Sequence, residues 1–189
     1  MSKLTVVYLK DTGHVLAALT RADPPAAGEP IGALVNKGLP VSAVDTTAAD
    51  ITVPVANLAA ATVADDQPEV LIDPQNFQVV QDPQGQAPPQ VKNVGVPGST
   101  VSVALNHASG ATITVTNVPS ATLLPAVVVL QKITSPRLPP TILAPVHITV
   151  GSGGTVIGDQ TGFVAGDTWN VYAFVQGLVP KASPALAVT

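Results

Sequence analysis

The sequence predicts an all-β fold, and three observations carry that expectation. Hydrophobic residues make up 46% of the 189-residue chain but aromatics only 3%, so Val, Ala, Leu and Ile have to fill the core. β-Branched side chains of this kind pack well on a pleated surface. Nineteen prolines and fifteen glycines are spread along the chain, which breaks long helices and demands frequent turns. Residues 100–105 and 111–116 also alternate polar and apolar side chains with the period of a half-buried strand.

The elements follow in order. Residues 4–10, the turn Asp11-Thr12-Gly13 and residues 14–20 read as a β-hairpin. Residues 22–30, rich in Pro, Ala and Gly, form a loop, and short apolar pieces follow at 31–35 and 39–44. Residues 50–55 make a strand in which Pro54 requires an edge or a bulge. The alanines of 57–62 suit a single helical turn, and 69–73 and 76–81 read as two strands around the turn Asp73-Pro74-Gln75. Residues 82–90 are polar, Pro-rich and aperiodic, which is the texture of a semi-rigid spacer. They divide the chain into an N-terminal β module, 1–81, and a second unit, 91–189. That unit holds a hairpin about Asn106-His107-Ala108-Ser109-Gly110, apolar strands at 123–130 and 141–150, and a Gly-rich loop at 151–154. A late strand at 165–175 and an apolar end at 185–188 complete it.

The second unit has the size, and roughly the seven short strands, of an immunoglobulin-like sandwich. Its segment Gly166-Asp167-Thr168-Trp169-Asn170-Val171-Tyr172-Ala173-Phe174 resembles the late strand of Ig-like and fibronectin-like domains. The resemblance implies a corner closed by the Tyr172 hydroxyl, with Trp169 packed at the sandwich edge. The expected architecture is thus a small N-terminal β module followed by an Ig-like β-sandwich.

Composition excludes several functions. Six lysines and two arginines are scattered singly and the net charge is −4, whereas nucleic-acid binding needs clustered cations to displace phosphate counterions. Cysteine is absent, which removes thiolate nucleophiles, disulfides and Cys-based metal sites. The longest apolar run, 123–130, is far short of the ~20 residues of a membrane helix. The first ten residues lack the long apolar stretch and cleavage site of a signal peptide. Synthesis in the cytoplasm, without membrane association, is expected.

Candidate chemistry is sparse. Asp11-Thr12-Gly13 after an apolar strand matches the loop of aspartic proteases, in which two such loops pair their carboxylates. Lys10 and His14 depart from that pattern on either side, and the same tripeptide is good hairpin-turn chemistry. His14, His107 and His147 lack metal-ligand spacing, so no metal site is assigned. His14 and His107 fall at turns and are expected on the solvated surface; His147 falls in a strand. Asp65, Asp66, Glu69 and Asp73 form the densest acidic patch, but they lack the alternating oxygens and turn glycine of a calcium loop. The glycines at 151–154 lack both the Lys-Ser/Thr of a phosphate loop and a dinucleotide fingerprint. No catalytic residue and no cofactor are assigned.

Charged residues are only 11% of the chain, low for a protein kept apart from its neighbours by charge. The expected function is therefore a non-catalytic structural or adaptor protein that docks into a multi-subunit particle and self-associates. In texture the chain resembles Ig-like decoration, collar and tail proteins of phages and phage-derived injection machines. An edge of the N-terminal hairpin is the expected docking element, separable from a C-terminal domain that folds without it. A ligand-binding β-sandwich that uses Tyr8, Trp169 or Tyr172 against a carbohydrate is the alternative. A homodimeric aspartic protease built on Asp11 is a second alternative.

Overall fold

The first strand is apolar on both faces, and that decides how the layers stack. The computed structural model describes residues 3–20, 31–35, 38–41, 51–64, 67–82, 84, 87–95, 98–117, 123–133, 141–149, 155–157 and 162–189. Strand β1 (Lys3–Leu9) pairs antiparallel with β2 (Val15–Thr20), with a bulge between Val7 and Tyr8. Leu9 N–H donates to His14 O at 2.9 Å and Gly13 N–H to Leu9 O at 2.8 Å, which closes the expected hairpin. The other edge of β1 takes β5 (Leu58–Ala64).

Two expectations fail in this region. The alanines of 57–62 do not form a helical turn. Val55–Asn57 make a short 3₁₀ turn and the chain then runs straight into β5. An open β1 edge supplies a hydrogen bond for each backbone group, which outweighs the weak helical preference of alanine. Residues 69–73 are not a strand either, because Pro68–Leu71 and Pro74–Asn76 are successive 3₁₀ turns. Each starts on a proline, whose fixed φ suits a first helical position and which has no N–H to give to a ladder.

The short helix α1 (Ile31–Leu34) and the ribbon of β3 (Gly38–Val41) and β4 (Ile51–Pro54) lie between β2 and β5 in the chain. Pro54 closes β4, consistent with the edge position its ring demands. β6 (Phe77–Val80) pairs with β7 (Gln90–Asn93). The Pro-rich 82–90 segment is thus the connection of a hairpin. Its first residue, Asp82, accepts the N–H of Gln84 at 3.0 Å and of Ala87 at 3.1 Å.

After this hairpin come β8 (Thr100–Asn106), β9 (Gly110–Thr116), β10 (Leu123–Lys132), β11 (Thr141–Thr149), β12 (Thr155–Ile157), β13 (Thr168–Val175) and β14 (Lys181–Ala187). They form two antiparallel sheets, ordered β12-β9-β8 and β11-β10-β13-β14. The expected 106–110 turn is present, and its Asn106 carboxamide oxygen accepts the N–H groups of Ala108 and Ser109.

Alternation distributes the side chains among three cores. Ala126, Val128, Leu130, Val171, Ala173 and Val175 face Val103, Leu105, Ala111, Ile113 and Val115 across one core. On the opposite face of the same two strands, Val127, Val129, Tyr172 and Phe174 meet Val7, Leu9, Leu58, Val41, Ile51 and Val53. The far face of β1 and β5, with Leu4, Val6, Tyr8 and Val63, then packs on Phe77, Val79, Val91 and Val70. The described strands thus stack as four β layers. The residue sets before and after 82–90 share the middle core.

This arrangement corrects two further expectations. Tyr172 packs not within the β8–β14 sandwich but in the middle core, its ring stacked on Phe174. The leading hairpin is not separable from the rest, because β1 lies between two strands with both faces buried, although β2 stands at the edge of its sheet. Trp169 does pack at the start of β13, edge-on to Phe163 and beneath the Lys132 ammonium.

A shared middle core predicts joint unfolding. Urea titration should give one transition, with Trp169 fluorescence and far-UV circular dichroism coinciding. Phe174→Ala should lower stability by about 3–5 kcal/mol in both signals. Trp169 fluorescence that is insensitive to Phe174→Ala would show that the two faces of β13 are energetically separate.

Candidate functional site

Among the described residues, two fully buried polar side chains lie together at the tip of the first hairpin. Thr12 and His14 are both 0% exposed, which corrects the expectation of a solvated His14. A turn is ordinarily wet, but this one is roofed by other elements. The Gly13 carbonyl accepts the Val79 N–H at 2.8 Å, and His14 forms an antiparallel bridge with Gln78 of β6. Gly13 has φ +77°, and a Cβ there would stand 2.6 Å from the Val79 carbonyl oxygen. Glycine is therefore required both for the conformation and for the close approach.

On the other side lies residues 176–180, the loop between β13 and β14. His14 Nε2 is 2.8 Å from Leu178 O, a partner 164 residues away, and Nδ1 is 2.9 Å from Thr12 Oγ1. A carbonyl oxygen only accepts, so Nε2 carries the proton and Nδ1 accepts from the Thr12 hydroxyl. The ring also meets Phe174 edge-on, with centroids 5.5 Å apart. Two further bonds hold the same loop. Gly177 N–H donates to Gln78 Oε1 at 2.9 Å, and Gly95 N–H donates to Gly177 O at 2.9 Å. His14, Gln78 and Gly95 thus clamp one loop from three elements.

Burial lowers the His14 pKa to about 4, the bond to Leu178 opposing the shift in part. Loss of hydration disfavours the imidazolium, and no carboxylate is bonded to the ring among the described residues. This is a structural histidine. It has no open face toward a substrate, and the Thr12 hydroxyl beside it is equally enclosed.

The other candidates are not brought together. Asp11 is exposed on the turn, and its neighbour Lys10 donates to Ala56 O at 2.7 Å. His107 is exposed; its backbone N–H and its Nδ1 both reach Thr189 O at 2.9 Å. The side chain of His147, both Asp65 and Asp66, and the Gly-rich 151–154 loop lie outside the described residues. Glu69 is exposed, while the Asp73 carboxylate accepts from the Asn76 amide. Among the described residues no three His, Asp or Glu side chains converge on a common point. All six aromatic side chains, Tyr8, Tyr172 and Trp169 included, are buried. No ring is offered for stacking on a sugar.

Sequence reasoning missed Gln78, Leu178 and the inward turn of His14. A faint signal was present. Val15 and Leu16 continue an apolar run directly from His14, with no polar position between histidine and core.

Two predictions follow from this geometry. His14→Ala should cost about 2–4 kcal/mol in urea titration at pH 7, since it leaves Leu178 O and the Thr12 hydroxyl unpaired and opens a cavity. In the wild type, the unfolded imidazole binds a proton below about pH 6.5 and the folded one only near pH 4. The unfolded state therefore takes up more protons within that window. Stability should fall as pH drops from about 6.5 toward 4, by roughly 3 kcal/mol from this residue, and should be flat above it. Denaturation midpoints recorded from pH 8 to 4 for wild type and His14→Gln should diverge only below pH 6.5.

No protein-family model, curated protein or solved structure matches this chain.

Proposed function

We propose that the chain is a non-catalytic structural or adaptor protein that docks into a multi-subunit particle through protein–protein contacts, including contacts with its own copies. The observation that carries this reading is the disposition of its reactive groups. The buried imidazole and the hydroxyl beside it are consumed in structural bonds, and Asp11, Glu69 and His107 stand singly on the surface. What the surface does offer is apolar. Ile72 is 84% exposed beside Leu71, and Val164 and Val179 are 59% and 50% exposed. On a chain with only 11% charged residues, such positions suit contact better than repulsion.

Within this reading, residues 91–189 are an Ig-like sandwich of the fibronectin-like kind, as found in phage and tail-like particles. Seven strands support it, β8 to β14, divided three and four between facing sheets. The first, second and fifth share one sheet and the third, fourth, sixth and seventh the other, the division expected of a fibronectin-like domain. The outer face of the four-stranded sheet is then the docking surface for the N-terminal strands.

Burial of every aromatic ring weighs against the carbohydrate-binding alternative. Exposure of Asp11 on a turn pinned by Gly13 and Thr12 weighs against the aspartic protease, whose carboxylates face each other across a shared proton.

Sedimentation velocity across micromolar concentrations tests the assembly. A defined oligomer or a mass that grows with concentration is expected; a monomer throughout overturns self-association. Asp11→Asn should leave stability within about 0.5 kcal/mol of wild type. Peptide cleavage by the wild type that Asp11→Asn abolishes would replace this reading with the protease.

A further inference from the structure

Three bonds from other elements converge on residues 177 and 178, and only one of them comes from a group that gains a charge in mild acid. Gln78 Oε1 and the Gly177 carbonyl are neutral acceptors at every pH, whereas the His14 imidazole is not. We propose that His14 is an acid-released latch, holding the β13–β14 loop against the tip of the first hairpin while neutral and freeing it when protonated.

Enclosure disfavours the charged ring in the closed position, the bond to Leu178 O opposing that effect in part. Nε2 already donates to Leu178 O, so the added proton must sit on Nδ1, against the Thr12 hydroxyl that has been donating to it. That hydroxyl can turn and accept, but it carries no charge to offset the imidazolium. The ring is fully enclosed beside the Phe174 ring.

Among the described residues, the ionisable groups around it give no relief. On its own hairpin, Lys10 is committed to Ala56 O, Asp11 points to solvent, and the Tyr8 hydroxyl accepts from Gln81. β6 contributes Gln78, which is neutral, and the 3₁₀ turn before it contributes Asp73, which is committed to Asn76. β13 presents Tyr172 on the same face as Phe174, and the loop itself bears no ionisable side chain before Lys181. Between about pH 6.5 and 4, protonation is therefore coupled to opening.

The loop is the part that yields. The hairpin tip is anchored by the Gly13 carbonyl on Val79 and by β1, buried on both faces, whereas beyond the Gln176 N–H, which donates to Pro125 O, the loop includes Gly177 at φ +79°, the half-exposed Val179 and Pro180. Opening exposes Leu178, buried when closed, next to Val179. Acid would thus uncover an apolar pair at one end of the β13–β14 connection without dissolving the three cores.

Hydrogen exchange of the full chain at pH 7 and pH 4.5, corrected for intrinsic rates, tests this. Protection at Gly177 and Leu178 should fall by about tenfold or more, as expected when only the open form binds the proton. Protection at Ile113 and Val128 should stay unchanged, and His14→Gln should show no acid-induced loss at the loop. Constant loop protection in wild type, an equal acid loss in His14→Gln, or simultaneous loss at all four positions would each overturn the latch. Should His14→Gln fail to fold, the His14 ring signals in wild-type NMR spectra decide. Charging of the ring in step with loop exchange upholds the proposal; a ring that stays neutral while the loop opens defeats it.

Discussion

Two neighbouring strands, β10 and β13, have no wet face along the middle of their lengths, and the rest of the structure depends on that. Ala126 through Leu130 and Val171 through Val175 are consecutively buried. A strand points alternate side chains to opposite sides, so a consecutive apolar run needs a cover on each side. Burying a side chain the size of valine stabilises by about 1.5 kcal/mol or more; leaving either face open forfeits several such contributions at once. One cover is the β8–β9 hairpin. The other is the N-terminal half of the chain, with Val7, Leu9 and Leu58 against Val127, Val129, Tyr172 and Phe174. The same logic repeats one layer out. β1 is itself apolar on both sides, so its outer face needs β6 and β7. Layering propagates until it reaches strands that alternate with polar residues, such as β8, whose Thr100, Ser102 and Ala104 face water.

Stacked apolar layers have a weakness, because valine and alanine faces fit one another in several registers. Polar groups trapped between them remove the ambiguity, since each needs one particular partner or costs roughly 1–3 kcal/mol unpaired. His14 to Leu178 and Gln78 to Gly177 fix the hairpin tip against the far end of β13. Asn170 does the same at the other end, accepting the Ala185 N–H at 3.2 Å where Ala185 itself takes φ +50°. Trp169 Nε1 and Gln131 Oε1, by contrast, are enclosed with no hydrogen-bond partner among the described residues. That end of the β10–β13 ladder carries a polar cost that the Phe163–Trp169 packing has to offset.

The elements most legible in the sequence were those whose signal is local. Gly13 and Gly110 mark hairpins because a turn residue and its flanking alternation lie within ten positions. The runs at 123–130 and 168–175 declare strands by β-branched and aromatic density. What stayed hidden depends on distant partners. The alanines of β5 carry no strand signal of their own and extend only because β1 offers them an edge. The spacer-like 82–90 segment turns back as a hairpin because Val79 and Val91 pair beneath β1, which its own composition does not reveal. His14 is the sharpest case, since a histidine after a glycine turn reads as surface and its burial depends on a carbonyl 164 residues later.

The choice of histidine at this position can be argued from its atoms. The site presents an acceptor, Leu178 O, on one side and a hydroxyl, Thr12 Oγ1, on the other, with the Phe174 ring beside them. Leucine or phenylalanine would fill the volume but leave both polar partners without a bond. Lysine offers donors alone, and its charge would be buried without a counter-ion. A neutral imidazole has one donor and one acceptor at opposite ends of a rigid ring, with a flat body that packs against an aromatic. The same property that satisfies the junction makes it titratable. A chain that fixes its layers with an imidazole rather than a carboxamide thereby makes one contact of that loop conditional on pH, while Gln78, doing the neighbouring job with an amide, keeps its own unconditional.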